Sequence, residues 1–427
     1  MRILALNDDL LGGGAAQLFR RTNELLQRAG HDVVAVTGDD LEPTASPAAS
    51  VSSVPPRGLS RLFRDLRRVP AEVRSNVRHL YFPRLIEHVS RRLEDRPVDV
   101  AHIHNLHGRL STHIFSWLKA HRIPAVYQVN DYYFFCNSYF AYNRRLDSPC
   151  KRCLSGNALW AARYGCVSYL SPNRLGKALP QALRRMALNA ARPWRHVDLF
   201  FATSDQAVTL LQEWGVPQEK CWKIFNPMRL EEFDLPSAIG DEVVFYGSCL
   251  PNKGTETFIR ALEHVQSGAR IGVYLMGLTP DYERRLRAAA QRRGLHLRVD
   301  GSVRWQNGLR SLVASARAVV VPSQWWVTSE NVVYEAKLLG KPVIVSRIGG
   351  NTELVKADQT GFFFEPGDAK ELARYVNLLV QDRDLAEQMG RQSARWAREQ
   401  FADALFLRRL EAGYQAAIES TAAACNT

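Results

Sequence analysis

Residues 321–353, VPSQWWVTSENVVYEAKLLGKPVIVSRIGGNTE, constrain the fold more than any other part of the chain. They read as strand, loop, helix, strand and Gly-rich turn. Residues 318–321 form a short apolar run of strand character, and Pro322-Ser323 ends it. In 331–339, Val332, Val333, Ala336 and Leu339 recur at helical spacing, with Gly340 as the stop. Lys341-Pro342 leads into a buried strand at 343–345, and Gly349-Gly350 lets another backbone come close. Loops between a parallel strand and the next helix are where open α/β sheets place their ligands. Glu335 sits beside such a loop with apolar residues on both sides. A carboxylate there either bonds a neighbouring loop or accepts hydrogen bonds from sugar hydroxyls.

More strand–turn–helix units surround this one. Residues 2–7 are a strand, followed by Gly12-Gly13-Gly14, an amphipathic helix to about Ala29, and a strand at 33–37. The Gly-rich turn bares N–H groups at a helix N-terminus, which suits a phosphate or sugar, or serves only as a tight turn. Strands follow at 98–104, 123–129, 198–204 and 220–225, with Asn130-Asp131-Tyr132 at the edge of the second of these. His102 and His104 alternate with apolar residues at the end of the first. Residues 242–246 open a second series, followed by Gly247-Ser248, Lys253-Gly254 and a helix from Thr255. Strands at 271–276 and 297–299 continue it, and residues 371–424 read as helical. A chain of 427 residues is too long for one core and suits two domains.

At 46% hydrophobic and 23% charged, the composition is that of a globular protein. No run approaches the roughly 20 apolar residues of a membrane span. The first strand meets Asp8-Asp9 too soon for a signal peptide, so a cytosolic location is expected. The net charge of +13 asks for an anionic partner, nucleic acid or a membrane surface. The charge is uneven. Residues 57–96 are basic, with Leu59, Leu62, Phe63 and Leu66 as an apolar stripe, so they form a membrane-surface helix or a solvated face. Between Ser148 and Val197 there is no Asp or Glu, and Trp160, Tyr164, Tyr169 and Trp194 interleave with Arg and Lys. That mixture suits lipid headgroups or stacked bases. Cys136, Cys150, Cys153 and Cys166 cluster in the same region. Four thiolates at this spacing could hold a structural Zn²⁺, or stand as four reduced, buried thiols.

Together these motifs resemble the retaining GT-B glycosyltransferases of family 4, the glycosyl transferases group 1. Pro322-Ser323, Glu335-Ala336, Gly340-Lys341-Pro342-Val343-Ile344 and Gly349-Gly350-Asn351-Thr352-Glu353-Leu354 follow the family's donor-site pattern. One position departs: the first Glu of the family's pair falls on Val327, and Glu330 is its candidate substitute. Gly247-Ser248 with Lys253-Gly254 matches the diphosphate loop. Ser248 stands where Arg is frequent, leaving Arg304 or Arg347 as a second cation. In the first half, Gly13-Gly14, Gly30-His31-Asp32-Val33 and Asn226-Pro227 agree. Asn130 replaces the family's His; it can donate a hydrogen bond but cannot titrate.

The resemblance implies an α/β GT-B fold, two Rossmann-like domains facing an interdomain cleft. Residues 1–226 would bind the acceptor, with insertions at 57–96 and 132–197. Residues 227–241 would be a linker, 242–404 the donor domain, and 405–427 a helix crossing back. It implies transfer of a hexose, with retention, from a nucleotide-diphosphate sugar to a glycan or lipid-linked acceptor in bacterial surface polysaccharide or glycolipid synthesis. The place would be the cytoplasmic face of the plasma membrane. Gly13, Gly14, Ser248, Lys253, Val303, Glu330, Asn331 and Glu335 would bind donor. Asn130, Asp131, Tyr132 and His104 would bind acceptor, and Asp131, Glu330 and Lys253 would carry the chemistry. No cofactor is required on this reading, and an anionic membrane rather than nucleic acid is the expected surface. The alternatives are a GT-B nucleotide-sugar epimerase and a sugar-nucleotide-binding protein without catalysis.

Overall fold

The computed structural model describes residues 1–9, 13–41, 76, 80–94, 96–106, 109–154, 158–164, 166, 175–235 and 238–425. The loop at 44–56 and most of the basic stretch at 57–96 therefore lie outside the described residues. The first half runs β1 (Arg2–Asn7), α1 (Gly13–Arg28), β2 (Asp32–Thr37), α2 (Pro83–Leu93), β3 (Val100–Ile103), α3 (His113–Ala120) and β4 (Ala125–Val129). After a two-stranded ribbon, β5 (Tyr142–Asn143) and β6 (Ser148–Pro149), come α4 (Leu159–Arg163), α5 (Leu175–Ala191), β7 (Leu199–Ala202), α6 (Asp205–Glu213) and β8 (Cys221–Lys223). The second half runs β9 (Glu242–Ser248), α7 (Thr255–Leu262), β10 (Arg270–Met276), α8 (Pro280–Arg293), β11 (His296–Val299), α9 (Leu309–Ala314), β12 (Ala318–Val321), α10 (Asn331–Leu338), β13 (Val343–Ser346), α11 (Asn351–Leu354) and β14 (Gly361–Phe364). Helices α12 (Ala369–Gln381), α13 (Arg383–Gln400) and α14 (Asp403–Cys425) close it.

Each half holds a six-stranded sheet, in orders β2-β1-β3-β4-β7-β8 and β11-β10-β9-β12-β13-β14. Every pairing within them is parallel. Strands covered by helices on both faces are apolar throughout rather than alternating. Hence Val100–Ile103, Ala125–Val129, Ala318–Val321 and Val343–Ser346 are buried at every position. Both sheets reverse direction of winding in their middle, between β1 and β3 and between β9 and β12, and the crevices open there.

The helical tail is three helices rather than one. Asp382 breaks it by accepting a hydrogen bond from the Leu385 N–H at 2.8 Å, and buried Phe401 ends the second helix. The last helix lies on the first sheet. Phe406, Leu410, Tyr414 and Ala417 pack with Ile3, Val100, Val126, Leu199 and Phe201. The Tyr414 hydroxyl meets His102 Nδ1 at 2.7 Å, and His31 Nε2 meets Glu411 Oε1 at 2.8 Å.

Burial holds the His102 imidazole neutral, with its pKa lowered to about 3. The unfolded chain binds that proton near pH 6.5, so its contribution to stability is complete above pH 6.5 and is lost as pH falls below it. A shift of pH from 7.5 to 5 should cost about 2 kcal/mol from this residue alone. Denaturant melts at the two pH values check this. Equal pH dependence in wild type and His102→Gln would contradict it.

Candidate active site

Two loops build the site, one after β9 and one after β12. Gly254 turns the first with φ of +76°, and a Cβ there would stand 1.7 Å from the Pro322 carbonyl oxygen. The loops are thus pressed together at a glycine, and the Gln324 N–H donates to the Asn252 carbonyl at 2.8 Å. This contact places Lys253 over the second loop. Its Nζ lies 2.7 Å from Glu330 Oε1, and the Ser323 hydroxyl donates to the same oxygen at 2.5 Å. The Glu330 side chain is 3% exposed and that of Lys253 26%, so the carboxylate is enclosed and the ammonium faces outward. A polar group this deep needs hydrogen-bonding partners in place of water, and the ammonium and the hydroxyl supply them.

One turn along α10, Glu335 meets the Tyr246 hydroxyl at 3.0 Å. That hydroxyl also lies 3.2 Å from the Val332 carbonyl. Burial of the carboxyl outweighs the tyrosine bond and raises the Glu335 pKa to about 7. Between the halves is a cavity of about 680 Å³. It is lined from the second half by Tyr246, Gly247, Ser248, Lys253, Ser323, Thr328, Glu330 and Asn331, and from the first by Asn7, Asp9, Gly14, Asn105, Asn130, Asp131 and Asn226. Beside it a smaller one, about 210 Å³, holds Glu335, Trp305, Gln306, Arg20 and Arg21. Gly14, Asn226 and Asn331 border both. Gly14, in the first turn of α1, lies so close to Asn331 that an added Cβ would stand 3.0 Å from its Nδ2.

The remaining residues named from the sequence are placed unequally. Ser248 lines the large cavity, and Gly13 precedes Gly14 at the start of α1. Asn130 Nδ2 donates to the His104 carbonyl at 3.1 Å, while its own carbonyl accepts from Thr328 Oγ1 at 3.0 Å, across the cleft. The Asp131 carboxylate accepts the Tyr133 N–H at 2.8 Å, a local turn. Tyr132 is buried, edge-on to Trp325. His104 is fully buried between Phe19 and His102, with neither ring nitrogen hydrogen-bonded. Burial and the His102 ring keep it neutral, and it does not reach the cavity. Val303 packs partly buried against the second core and lines neither cavity. Arg304 folds back on the Gly301 and Val303 carbonyls, and Arg347 pairs with Glu365 and stacks on Phe363. Neither arginine supplies a second cation to the cavity.

Val327, where the resembling pattern has a carboxylate, is 1% exposed and belongs to the first half's core. Trp325 and Val327 insert there together. The Trp325 ring meets Phe140 edge-on at 4.8 Å, and Lys151 Nζ lies 5.0 Å over Trp326. Gly349, with φ of +59°, lies against this loop, where a Cβ would be 2.5 Å from the Val327 nitrogen. So the Gly-Gly turn serves a close approach within the protein. Glu353 then crosses to the first half, accepting the Asp205 N–H at 2.6 Å and Lys223 Nζ at 3.0 Å. Sequence reasoning did not single out Asn7, Asn105 or Tyr246. The signal available was position, since Asn7 and Tyr246 sit at or near the carboxyl ends of β1 and β9 and Asn105 just beyond β3.

The four cysteines come near one another in the 132–166 segment. Their mutual charge repulsion adds to burial in raising the Cys166 thiol to about 12 and Cys150 and Cys153 above their ordinary value. All four are free thiols. Among the described residues no group of three or more His, Cys, Asp or Glu is placed to hold a metal ion.

Residues 13–222 match the model of the glycosyl transferase 4-like domain, and residues 238–396 that of glycosyl transferases group 1. The chain is a group 1 glycosyltransferase. Its curated relatives match over short stretches. The sulfoquinovosyl transferase SQD2 of Arabidopsis thaliana is 36% identical over 86 residues, 19% of this chain and 17% of that one. The capsular polysaccharide biosynthesis glycosyltransferase CapM of Staphylococcus aureus is 32% identical over 84 residues, 20% of this chain and 22% of that one. The chain thus spans well under half the length of these two relatives. Solved structures resemble the glycosyltransferase end to end. HepE of Anabaena with UDP-glucose has a TM-score of 0.59 at 18% identity, covering 96% of this chain and 99% of that one. Sucrose-phosphate synthase from Thermosynechococcus elongatus has a TM-score of 0.64 at 18% identity, covering 97% and 99%. The glycosyltransferase therefore has the GT-B fold.

The interdomain insertion of Trp325 yields a prediction for this glycosyltransferase. Trp325→Ala should lower unfolding stability by about 3 kcal/mol, the scale of a large buried aromatic ring. Urea melts measure it. A loss below about 1 kcal/mol would show that the loop does not hold the halves together.

Proposed function

We propose that the chain is a retaining, metal-independent hexosyltransferase. It takes sugar from a nucleotide-diphosphate donor and passes it to a glycan or lipid-linked acceptor of surface polysaccharide or glycolipid synthesis. The observation that carries this is the pairing of Lys253 with buried Glu330 at the wall of the large cavity, with Glu335 in the smaller one beside it. The UDP-glucose bound by HepE supports a donor of this class. Glu335 would accept the ribose hydroxyls. Lys253, with two ammonium protons besides the one directed at Glu330, would meet the diphosphate and stabilise the charge it gains on leaving. Glu330 would hold Lys253 in place and accept from the sugar. Gly13 and Gly14 at the start of α1 would bring N–H groups to the donor from the opposite half. Asn130 and Asp131 would face the acceptor. Asn130 offers no titrating group, so the leaving phosphate itself would take the acceptor proton. The work would be done at the cytoplasmic face of a membrane; among the described residues no helix is long and apolar enough to cross one.

The test follows from Glu335. With its pKa raised to about 7, the carboxyl is mostly protonated at pH 6 and mostly ionised at pH 8. A proton removes acceptor capacity, so affinity should rise with pH. UDP-glucose, whose diphosphate does not titrate in this range, should bind about tenfold tighter at pH 8 than at pH 6. Glu335→Gln should bind weakly at both. Calorimetry showing a flat wild-type profile, or wild-type affinity and turnover in the variant, would count against the site.

A further inference from the structure

Helix α5 buries two arginines beside Ala182 and Leu188. Arg185 is 0% exposed and Arg184 5%. The Arg185 guanidinium donates to the Tyr133, Phe134 and Cys136 carbonyls and reaches Asn137 Oδ1 at 3.4 Å. The opposite face, where a helix of this kind usually carries charge, is apolar. Leu179 is 52% exposed, Leu183 53% and Met186 40%, and Ala187 and Ala190 continue the stripe. The short helix α4 packs against α5 and adds Leu159 at 51% and Trp160 at 39%. More than half of the strongly exposed large hydrophobic residues among those described thus lie on two adjoining helices. A soluble surface seldom concentrates them so.

Within this stretch of sequence the charge has one sign. Arg152, Arg163, Arg192 and Arg195 are exposed, and no acidic residue occurs from Ser148 to Val197. Arg152 lies over the rings of Trp160 and Tyr164, at 5.5 and 5.0 Å, and bonds the Tyr164 hydroxyl at 3.0 Å. Cation-stacked aromatics beside exposed leucines are suited to the boundary between headgroups and acyl chains. We propose that the α4–α5 face is the seat of the protein on an anionic lipid bilayer, with Leu179, Leu183 and Met186 entering the interface and the arginines meeting acidic headgroups. This rests on the transfer reading only in that it explains how a lipid-linked acceptor would be met; the surface is argued from its own residues.

Co-sedimentation of the full chain with vesicles, without any sugar donor, tests it. Binding is expected to vesicles containing about 30% phosphatidylglycerol and to be at least tenfold weaker to phosphatidylcholine alone. Leu183→Glu combined with Met186→Glu should weaken binding to the acidic vesicles at least tenfold. The exposed positions should leave melting temperature and UDP-glucose affinity unchanged. Absence of wild-type binding, or equal binding by the double variant, overturns the proposal. So does a fall in the variant's melting temperature, which would show the face covered by the chain's own residues, such as the Leu59–Leu66 stripe. A dimer converted to monomer by the variant would mark the face as a contact between copies instead. Vesicle binding that fails leaves the transfer reading intact, and transfer that fails with vesicle binding preserved leaves the seat intact.

Discussion

The Glu330 carboxyl, with 3% of its surface exposed, has lost its water and is hydrogen-bonded instead by the Lys253 ammonium at 2.7 Å and the Ser323 hydroxyl. Much of the site follows from supplying those partners. The loop after β9 must bend at Gly254 to bring Lys253 over, and the loop after β12 must run close beneath it. The price is a tight junction at Pro322 that only glycine fits. In return the cavity gains an oriented cation at the point where the second sheet reverses its winding, where open α/β sheets take ligands.

The same loop joins the two halves. Its outer residues, Trp325 and Val327, are core residues of the first half, while Ser323 and Glu330 face the cavity. Thr328 bonds the Asn130 carbonyl, and Glu353 reaches Asp205 and Lys223. The residues that would hold a donor are therefore carried by the segment that fixes the relative position of the domains. Nucleotide binding and domain contact would then be felt through one backbone.

Much of this was legible in the sequence, for reasons of local chemistry. Continuous apolar runs gave away the parallel strands, and β12 lies at the residues read from its composition. The family resemblance carried by Pro322, Lys253 and Glu335, with Glu330 as the substitute carboxylate, marked the loops that the fold brings together. What stayed hidden depends on long-range contacts. The helical tail reads continuously because Asp382 is ordinary in a helix until it caps the next one. His104 has the look of a strand-end ligand, yet Phe19, far away in sequence, seals it in. Val327 resembles a lost catalytic position until Phe140 and Tyr132 are seen around its neighbour Trp325. The basic residues of 148–197 read as partners for lipid headgroups or stacked bases, but Arg184 and Arg185 are buried and leave leucines outside.

The central claim is that the second half holds a pyrophosphate-linked sugar between Lys253 and Glu335. A crystal structure of the protein soaked with UDP-glucose tests it most directly. The account predicts density in the interdomain cavities, with the diphosphate at the Lys253 ammonium and the ribose at the Glu335 carboxylate. Ligand bound elsewhere on the protein, with those cavities empty, would contradict it.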